Sequence, residues 1–228
     1  MRGTTNDRCG QVAGAGAVVA FDGARKRRKR KAGGRSNGLP DMVRFLLAWV
    51  RNPAGTAAIA PSGPALAALM TQEITGDTGP VLELGPGTGV LTHRLIDRGV
   101  AERDLTLVEQ NPAFARLLSL RFPKAAVLGI DAAALARVPR TGDGFGAVIC
   151  GLGLRNMDDD QVAAIVKSAF GHMRADGAFY LFTYARGCSV SDEILDALDL
   201  VAERVGMTIR NVPPAWVYRL TRRAAAAE

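Results

Sequence analysis

The stretch VLELGPGTGV at 81–90 sets an acidic side chain, Glu83, in an apolar run and follows it with three alternate glycines, Gly85, Gly87 and Gly89. Glycine accepts positive φ and lets another molecule approach the backbone with no Cβ in the way. The stretch therefore predicts a strand turning into a helix around a small ligand. Its neighbours narrow the ligand. No Lys-Ser/Thr follows the glycines, as a phosphate loop requires. The spacing is E-x-G-x-G-x-G, not the G-x-G-x-x-G of a nicotinamide cofactor, and Glu83 would repel a pyrophosphate. A carboxylate there suits an ammonium group. S-Adenosylmethionine carries one, with a sulfonium and no phosphate. Glu109 ends the next apolar run, LTLVEQN, where it can accept from both ribose hydroxyls. Asp131 ends the run after that, VLGIDA, where it can accept from an adenine amino group or serve as a helix N-cap.

These residues need elements to present them. The runs PVLELG, DLTLVEQ, AAVLGID, FGAVICGLGL and GAFYLFTYA read as strands. Between them GVLTHRLIDRG, NPAFARLLSLRF and DDDQVAAIVKSAFGHM read as helices. Strands alternating with helices predict a doubly wound, mostly parallel, Rossmann-like α/β sheet. In such sheets ligands bind beyond the carboxyl ends of the strands. The tail from Val190 adds a helix and two short strands, an antiparallel end to the sheet. Upstream, DMVRFLLAWVRNP reads as an amphipathic helix, with Asp41 as its N-cap and Asn52-Pro53 as its stop. PSGPALAALMTQEI (61–74) reads as a second helix opened by Ser62 and Pro64. The expected organisation is a disordered basic arm over 1–40, amphipathic or lid helices over 41–75, and a ligand-binding domain over 76–222.

Charge is divided the same way. The 228 residues carry a net +7, but residues 1–40 hold ten basic and two acidic residues, leaving 19 and 20 for the rest. A basic arm on a near-neutral body fits an anionic membrane surface at least as well as nucleic acid. The three cysteines, Cys9, Cys150 and Cys188, have no metal or redox spacing, which predicts a reducing compartment and no metal. No run approaches the ~20 apolar residues that span a bilayer. QVAGAGAVVAF (11–21) faintly resembles a signal peptide, but RKRRKRK directly after it opposes translocation.

From about residue 42 to 220 the sequence resembles the small bacterial phospholipid N-methyltransferases, which convert phosphatidylethanolamine stepwise towards phosphatidylcholine. The resemblance is carried by RNPAGTAAIAPSGPALAALM, VLELGPGTGVLTHRLIDRGV, VEQNPAFARLL…FP, GLGLRNM, FTYARGCSV and NVPPAWVYRL. It implies S-adenosylmethionine as cofactor, contacted by Glu83, Gly85, Gly87, Gly89 and Glu109, and an enzyme bound peripherally to the cytoplasmic face of the plasma membrane. The chain departs from the family at the end of its fourth strand. Where the pattern reads Ser-Gly-Leu-Pro-Leu, this chain has Cys150-Gly151-Leu152-Gly153-Leu154, followed by Arg155. Losing the proline loosens a loop beside the methyl donor. The Arg155 cation would bind a lipid phosphate or repel a protonated amine.

Methyl transfer to an amine is an in-line displacement that needs a positioned lone pair, and its cationic product favours aromatic faces. FYLFTY sets Tyr180, Phe182 and Tyr184 on one side of a strand. Tyr184, nearest the carboxyl end, is the candidate for holding the amine. Tyr180 and Phe182 read as core packing. In the first helix Phe45, Trp49 and their apolar neighbours, rimmed by Arg44 and Arg51, suit the bilayer interface. Two rival readings stand. An rRNA adenine dimethylase would grip its flipped base with an Asn-Leu-Pro-aromatic motif at the fourth strand's end, and no such motif occurs there. The other rival is a donor-binding module that has lost turnover. His93, on the helix after the glycine turn, and His172, at a helix end, are too few to form a metal cluster, and Met157 and Trp216 read as packing.

Overall fold

In a computed structural model of the chain, the structure describes residues 63–140, 142–211 and 213–224. The first element, α1 (Pro64–Met70), begins after Gly63 with proline in its first turn, where the missing N–H costs nothing. Its cap is Gly63, with no side-chain hydrogen bond. Strand β1 (Val81–Leu84) is buried along its whole length. After the glycine turn come α2 (Val90–Asp97), β2 (Leu105–Val108) and α3 (Pro112–Arg121), the last capped by Asn111. Then follow β3 (Ala126–Leu128), a short 3-10 turn over Ala132–Arg137, and β4 (Phe145–Cys150). Helix α4 (Asp159–His172) is capped by Asp158, and Asp159 and Asp160 suit the dipole in its first turn. The chain ends with β5 (Met173–Thr183), α5 (Asp192–Ala197), β6 (Leu200–Thr208) and β7 (Ala215–Arg222).

The seven strands form one sheet in the order β3-β2-β1-β4-β5-β7-β6. β1 pairs parallel with β2 and β4, β2 with β3, and β4 with β5. β7 runs antiparallel to both β5 and β6. This is the doubly wound, mostly parallel sheet with an antiparallel end that the sequence predicts.

Each face of the sheet buries its own cluster. On one side Val81, Leu107, Ile149, Tyr180 and Val217 pack under α1, α2 and α3, with Leu66, Met70, Leu95 and Phe122 among the partners. On the other, Leu82, Val148, Phe179 and Leu220 pack under α4, α5 and the 3-10 turn, meeting Val166, Leu195 and Leu135. Helix α1, grouped with the leading segment in the sequence reading, therefore shares a core with the sheet.

Strand β5 starts earlier than the sequence predicts. Met173 already pairs with Phe145, and the register then jumps so that Ala147 meets Ala178. Residues between these rungs bulge, and Arg174 fastens the bulge to the Thr78 carbonyl at 3.0 Å. That corner borders a groove of about 300 Å³ at the amino ends of the strands, lined in part by Pro80, Arg103 and Asp143. It lies at the opposite end of the sheet from the glycine turn.

Candidate active site

The strand order lays the site out along the carboxyl edge. Reading β3, β2, β1, β4, β5 across that edge, the residues just beyond the strands are Asp131, Glu109, the glycine turn, the 151–155 loop and Tyr184. Neighbouring strands are about 4.8 Å apart, so the glycine turn and Tyr184 stand about 10 Å apart across the sheet.

Glu83 is fully buried. Its Oε2 accepts a hydrogen bond from the Thr92 hydroxyl at 2.7 Å, while Oε1 is buried with no partner among the described residues. Thr92 sits in the first turn of α2, entered from Gly89, and is itself fully buried. Burial, followed by the nearby negative charge of Glu109, pushes the Glu83 carboxyl up to about 7, against the pull of the Thr92 hydrogen bond. Leaving a buried carboxylate oxygen without a donor costs free energy, so the position is incomplete.

Glu109 is held differently. One oxygen accepts from the Gly87 N–H at 3.1 Å and the other from the Asn111 N–H at 2.8 Å. Each carboxylate oxygen keeps further lone pairs, so a diol can still donate to both. Gly87 takes φ +55, and a Cβ built there would meet nothing within 4 Å. Its outer side is open. Gly85 differs, because a Cβ there would lie 2.4 Å from Leu152 Cδ2. Leu152 thus roofs the glycine turn, and Gly151 ties the same loop to β1 by donating to the Leu84 carbonyl at 2.8 Å. Gly153 caps a short 3-10 turn that carries Arg155, which is exposed and makes no ion pair among the described residues.

Asp131 is exposed, and its Oδ1 accepts from the Ala133 N–H at 2.8 Å, capping the 3-10 turn. The N-cap reading is thus realised in the structure. Tyr184 follows the last residue of β5 and is half-buried, its ring edge-on to Phe182 at 5.4 Å. Burial raises its hydroxyl above the ordinary phenol range, opposed by a hydrogen bond with the Asn211 side chain. Tyr180 and Phe182 are buried in the core, and the Tyr180 hydroxyl donates to Glu73 Oε2 at 3.0 Å. His172 is buried, its ring nitrogens each 2.9 Å from a backbone carbonyl, those of Ser168 and Val138. Burial pushes the Cys150 thiol up to about 12, so it acts as an apolar group. Among the described residues no cluster of His, Cys, Asp and Glu could hold a metal ion. Arg44, Phe45, Trp49 and Arg51 lie outside the described residues.

Sequence reasoning missed two residues. Thr92 had a signal, being a hydroxyl in the first turn of the helix entered from the glycine turn. Asn211, a polar residue just before Pro213-Pro214, is buried and bonds both Gly63 and Pro213.

The fold is that of the Rossmann-like S-adenosylmethionine-dependent methyltransferases. It superposes on a TehB-like S-adenosylmethionine-dependent methyltransferase from Corynebacterium glutamicum with TM-score 0.54 and 15% identity, over 80% of this chain and 98% of that one. N-methyltransferase NodS from Bradyrhizobium japonicum, solved with S-adenosylhomocysteine, gives TM-score 0.54 and 14% identity, over 81% of this chain and 100% of that one. The 1,6-didemethyltoxoflavin-N1-methyltransferase of Burkholderia thailandensis, also bound to S-adenosylhomocysteine, gives 0.52 and 15%, over 83% and 93%. Among curated proteins, the chain is similar to an ornithine lipid N-methyltransferase from Singulisphaera acidiphila, 34% identical over 89 residues. That match spans 39% of this chain and 46% of the relative, less than half its length. No protein-family model matches the chain.

Proposed function

We propose that the protein is an S-adenosylmethionine-dependent N-methyltransferase acting on the amine of a lipid headgroup at a membrane surface. The headgroup is phosphatidylethanolamine or an aminolipid such as ornithine lipid. The observation that carries the cofactor half is Glu83, a fully buried carboxylate with one oxygen lacking a donor beside a glycine turn open at Gly87. An α-ammonium completes that oxygen, and Glu109 receives the ribose diol. Asp131 then faces the adenine end, one strand further out. The bound cofactor supplies an electrophilic methyl group on a sulfonium.

The rest of the edge belongs to the acceptor. Tyr184 keeps a neutral hydroxyl across ordinary pH, because burial raises it. It therefore orients the amine by hydrogen bonding and does not deprotonate it. An amine held there would turn its nitrogen lone pair towards the donor, and the proton it sheds would pass to solvent. The ring face then suits the more substituted cation. Arg155, exposed beyond β4, would meet a headgroup phosphate. Support for a lipid acceptor comes from the ornithine lipid relative and from the basic, apolar leading segment of the chain. No helix among the described residues is long and apolar enough to cross a membrane, which is consistent with attachment at its surface.

The test offers labelled methyl donor and three acceptors: vesicles with phosphatidylethanolamine, vesicles with ornithine lipid, and rRNA. Label in a lipid fraction is expected. Label in RNA alone would replace this reading with base methylation. Donor binding with no product in any arm would indicate a module without turnover. Glu83→Ala should abolish donor binding in calorimetry, and unchanged affinity would refute the cofactor assignment.

A further inference from the structure

Three large hydrophobic side chains are strongly exposed among the described residues: Leu120 on α3, and Met207 and Ile209 at the end of β6. The last two are 50% and 72% exposed, and they stand together. Pro213 and Pro214, across the β6–β7 turn, are exposed beside them, and Trp216 is half-buried. Together they make a small apolar patch facing water at the tip of a hairpin.

The register places this tip beside the candidate acceptor site. Thr183 of β5, Trp216 of β7 and Met207 of β6 form one row across the sheet. Tyr184 is the next residue after Thr183, and Ile209 comes two after Met207. Tyr184 and the tip therefore project from the same edge, two strand spacings or about 10 Å apart. Charge narrows the partner further. Between residues 204 and 224 the chain has five arginines and no carboxylate. Arg219 and Arg223 are engaged by acidic side chains and Arg222 by backbone carbonyls. Arg210, at the tip, is exposed and makes no ion pair among the described residues.

We propose that the β6–β7 tip is a membrane-docking wedge: Met207 and Ile209 enter the interface of an anionic bilayer, and Arg210 meets lipid phosphate. A cation at the edge of a small apolar patch is the pattern that partitions to the boundary between headgroups and acyl chains. The proposal rests on the lipid reading above and assigns the surface that turns the carboxyl edge towards the lipid. It also supplies a second contact, which a reversible anchor needs, since one short apolar insertion binds only marginally.

The full-length chain and its M207S/I209D variant are compared by co-sedimentation with vesicles of phosphatidylglycerol and phosphatidylethanolamine. Both positions are exposed, and unchanged donor affinity in calorimetry confirms that the variant is folded. Vesicle affinity should drop about a hundredfold or more, as expected for removing two large apolar side chains from the interface. In a second experiment on the full chain, Trp49→Phe leaves Trp216 as the sole tryptophan. Brominated lipids should quench its fluorescence, and M207S/I209D should abolish that quenching.

Equal pelleting of variant and wild type overturns the proposal. So does absence of quenching, which is what cover by the leading residues of the chain would produce. Loss of a dimer in light scattering, with vesicle binding intact, also overturns it and assigns the tip to a second copy. Failure of the enzymatic reading looks different. The wild-type chain would then dock and be quenched as expected yet label no lipid.

Discussion

Asn211 and Gly63 are joined across 148 positions of sequence: the Gly63 N–H donates to Asn211 Oδ1 at 3.1 Å. The fit is close, since a Cβ on Gly63 would lie 2.8 Å from that oxygen. The amide nitrogen of Asn211 donates to the Pro213 carbonyl at 2.9 Å, and the same side chain bonds Tyr184. One buried amide thus connects the residue where α1 begins, the β6–β7 turn and the candidate acceptor tyrosine. Asn211→Ala leaves these polar groups short of partners and should cost about 1–3 kcal/mol in a denaturant melt. Asn211→Asp keeps the acceptor for Gly63 and loses the donor. It should preserve slow amide exchange at Gly63 while still lowering kcat.

Glu83 makes stability depend on pH. Its folded pKa, about 7, lies above the ordinary 4.5, so between these values the folded state holds more protons than the unfolded one. Stability of the unliganded protein should therefore fall as pH rises from about 4.5 to 7, by about 3 kcal/mol in total. Glu83→Gln should flatten that slope in melts across the pH range. A slope that Glu83→Gln leaves unchanged would show that the carboxyl is not buried as described.

As the proposed partner of the donor's ammonium, the same carboxyl should link donor binding to proton release. An ammonium partner stabilises the charged form, so affinity should rise with pH through 7. Calorimetry in buffers of different ionisation enthalpy should report up to one proton released. Thr92→Val removes the hydroxyl that favours the charged carboxylate and should move this rise to higher pH, with affinity at pH 7 about tenfold lower. Thr92→Ser should restore it.

Two glycines in one turn should fail in different ways. Gly87→Ala meets empty space and should fold with a strain cost of about 1–2 kcal/mol, yet its methyl occupies the open side and should lower donor affinity. Gly85→Ala drives a methyl into Leu152. It should lose stability first, in a thermal melt, and donor binding only as a consequence.

Tyr184→Phe keeps the ring and deletes the hydroxyl. If the hydroxyl orients the amine, kcat should fall about tenfold or more while donor affinity stays constant. Tyr184→Ala should additionally weaken acceptor binding, read as a higher KM.

Much of this architecture is legible in the residues because it is local. Apolar runs of strand length, each ending in a glycine or an acid, mark the carboxyl ends of β1, β2 and β3 without any tertiary knowledge. The reversed end of the sheet is legible too, in a tail whose strands lack an intervening helix. What escapes is whatever tertiary contact decides. Nothing near Asn211 announces that its partner lies at Gly63. The early start of β5 depends on Arg174 reaching the Thr78 carbonyl, and sequence periodicity sees only the helix before it. Asp131 shows the limit of residue type alone, since a carboxylate after a strand serves a ligand or a helix end with equal ease. The end of α5 has a local cause that single residues hide: Asp199 adopts φ +53, a left-handed turn that an aspartate tolerates better than most side chains.

The order of the strands has an evolutionary corollary. Everything proposed to grip the nucleoside hangs from β1, β2 and β3, whereas everything proposed to face the incoming amine hangs from β4, β5 and the reversed pair. The two sets meet where β1 pairs with β4 and where the 151–155 loop bonds Leu84 and covers Gly85. Mutations confined to 153–155 or to the hairpin can therefore retune which molecule is modified while the handle for the common reagent is inherited intact, so descendants of one ancestor can diverge in clientele without reinventing their chemistry.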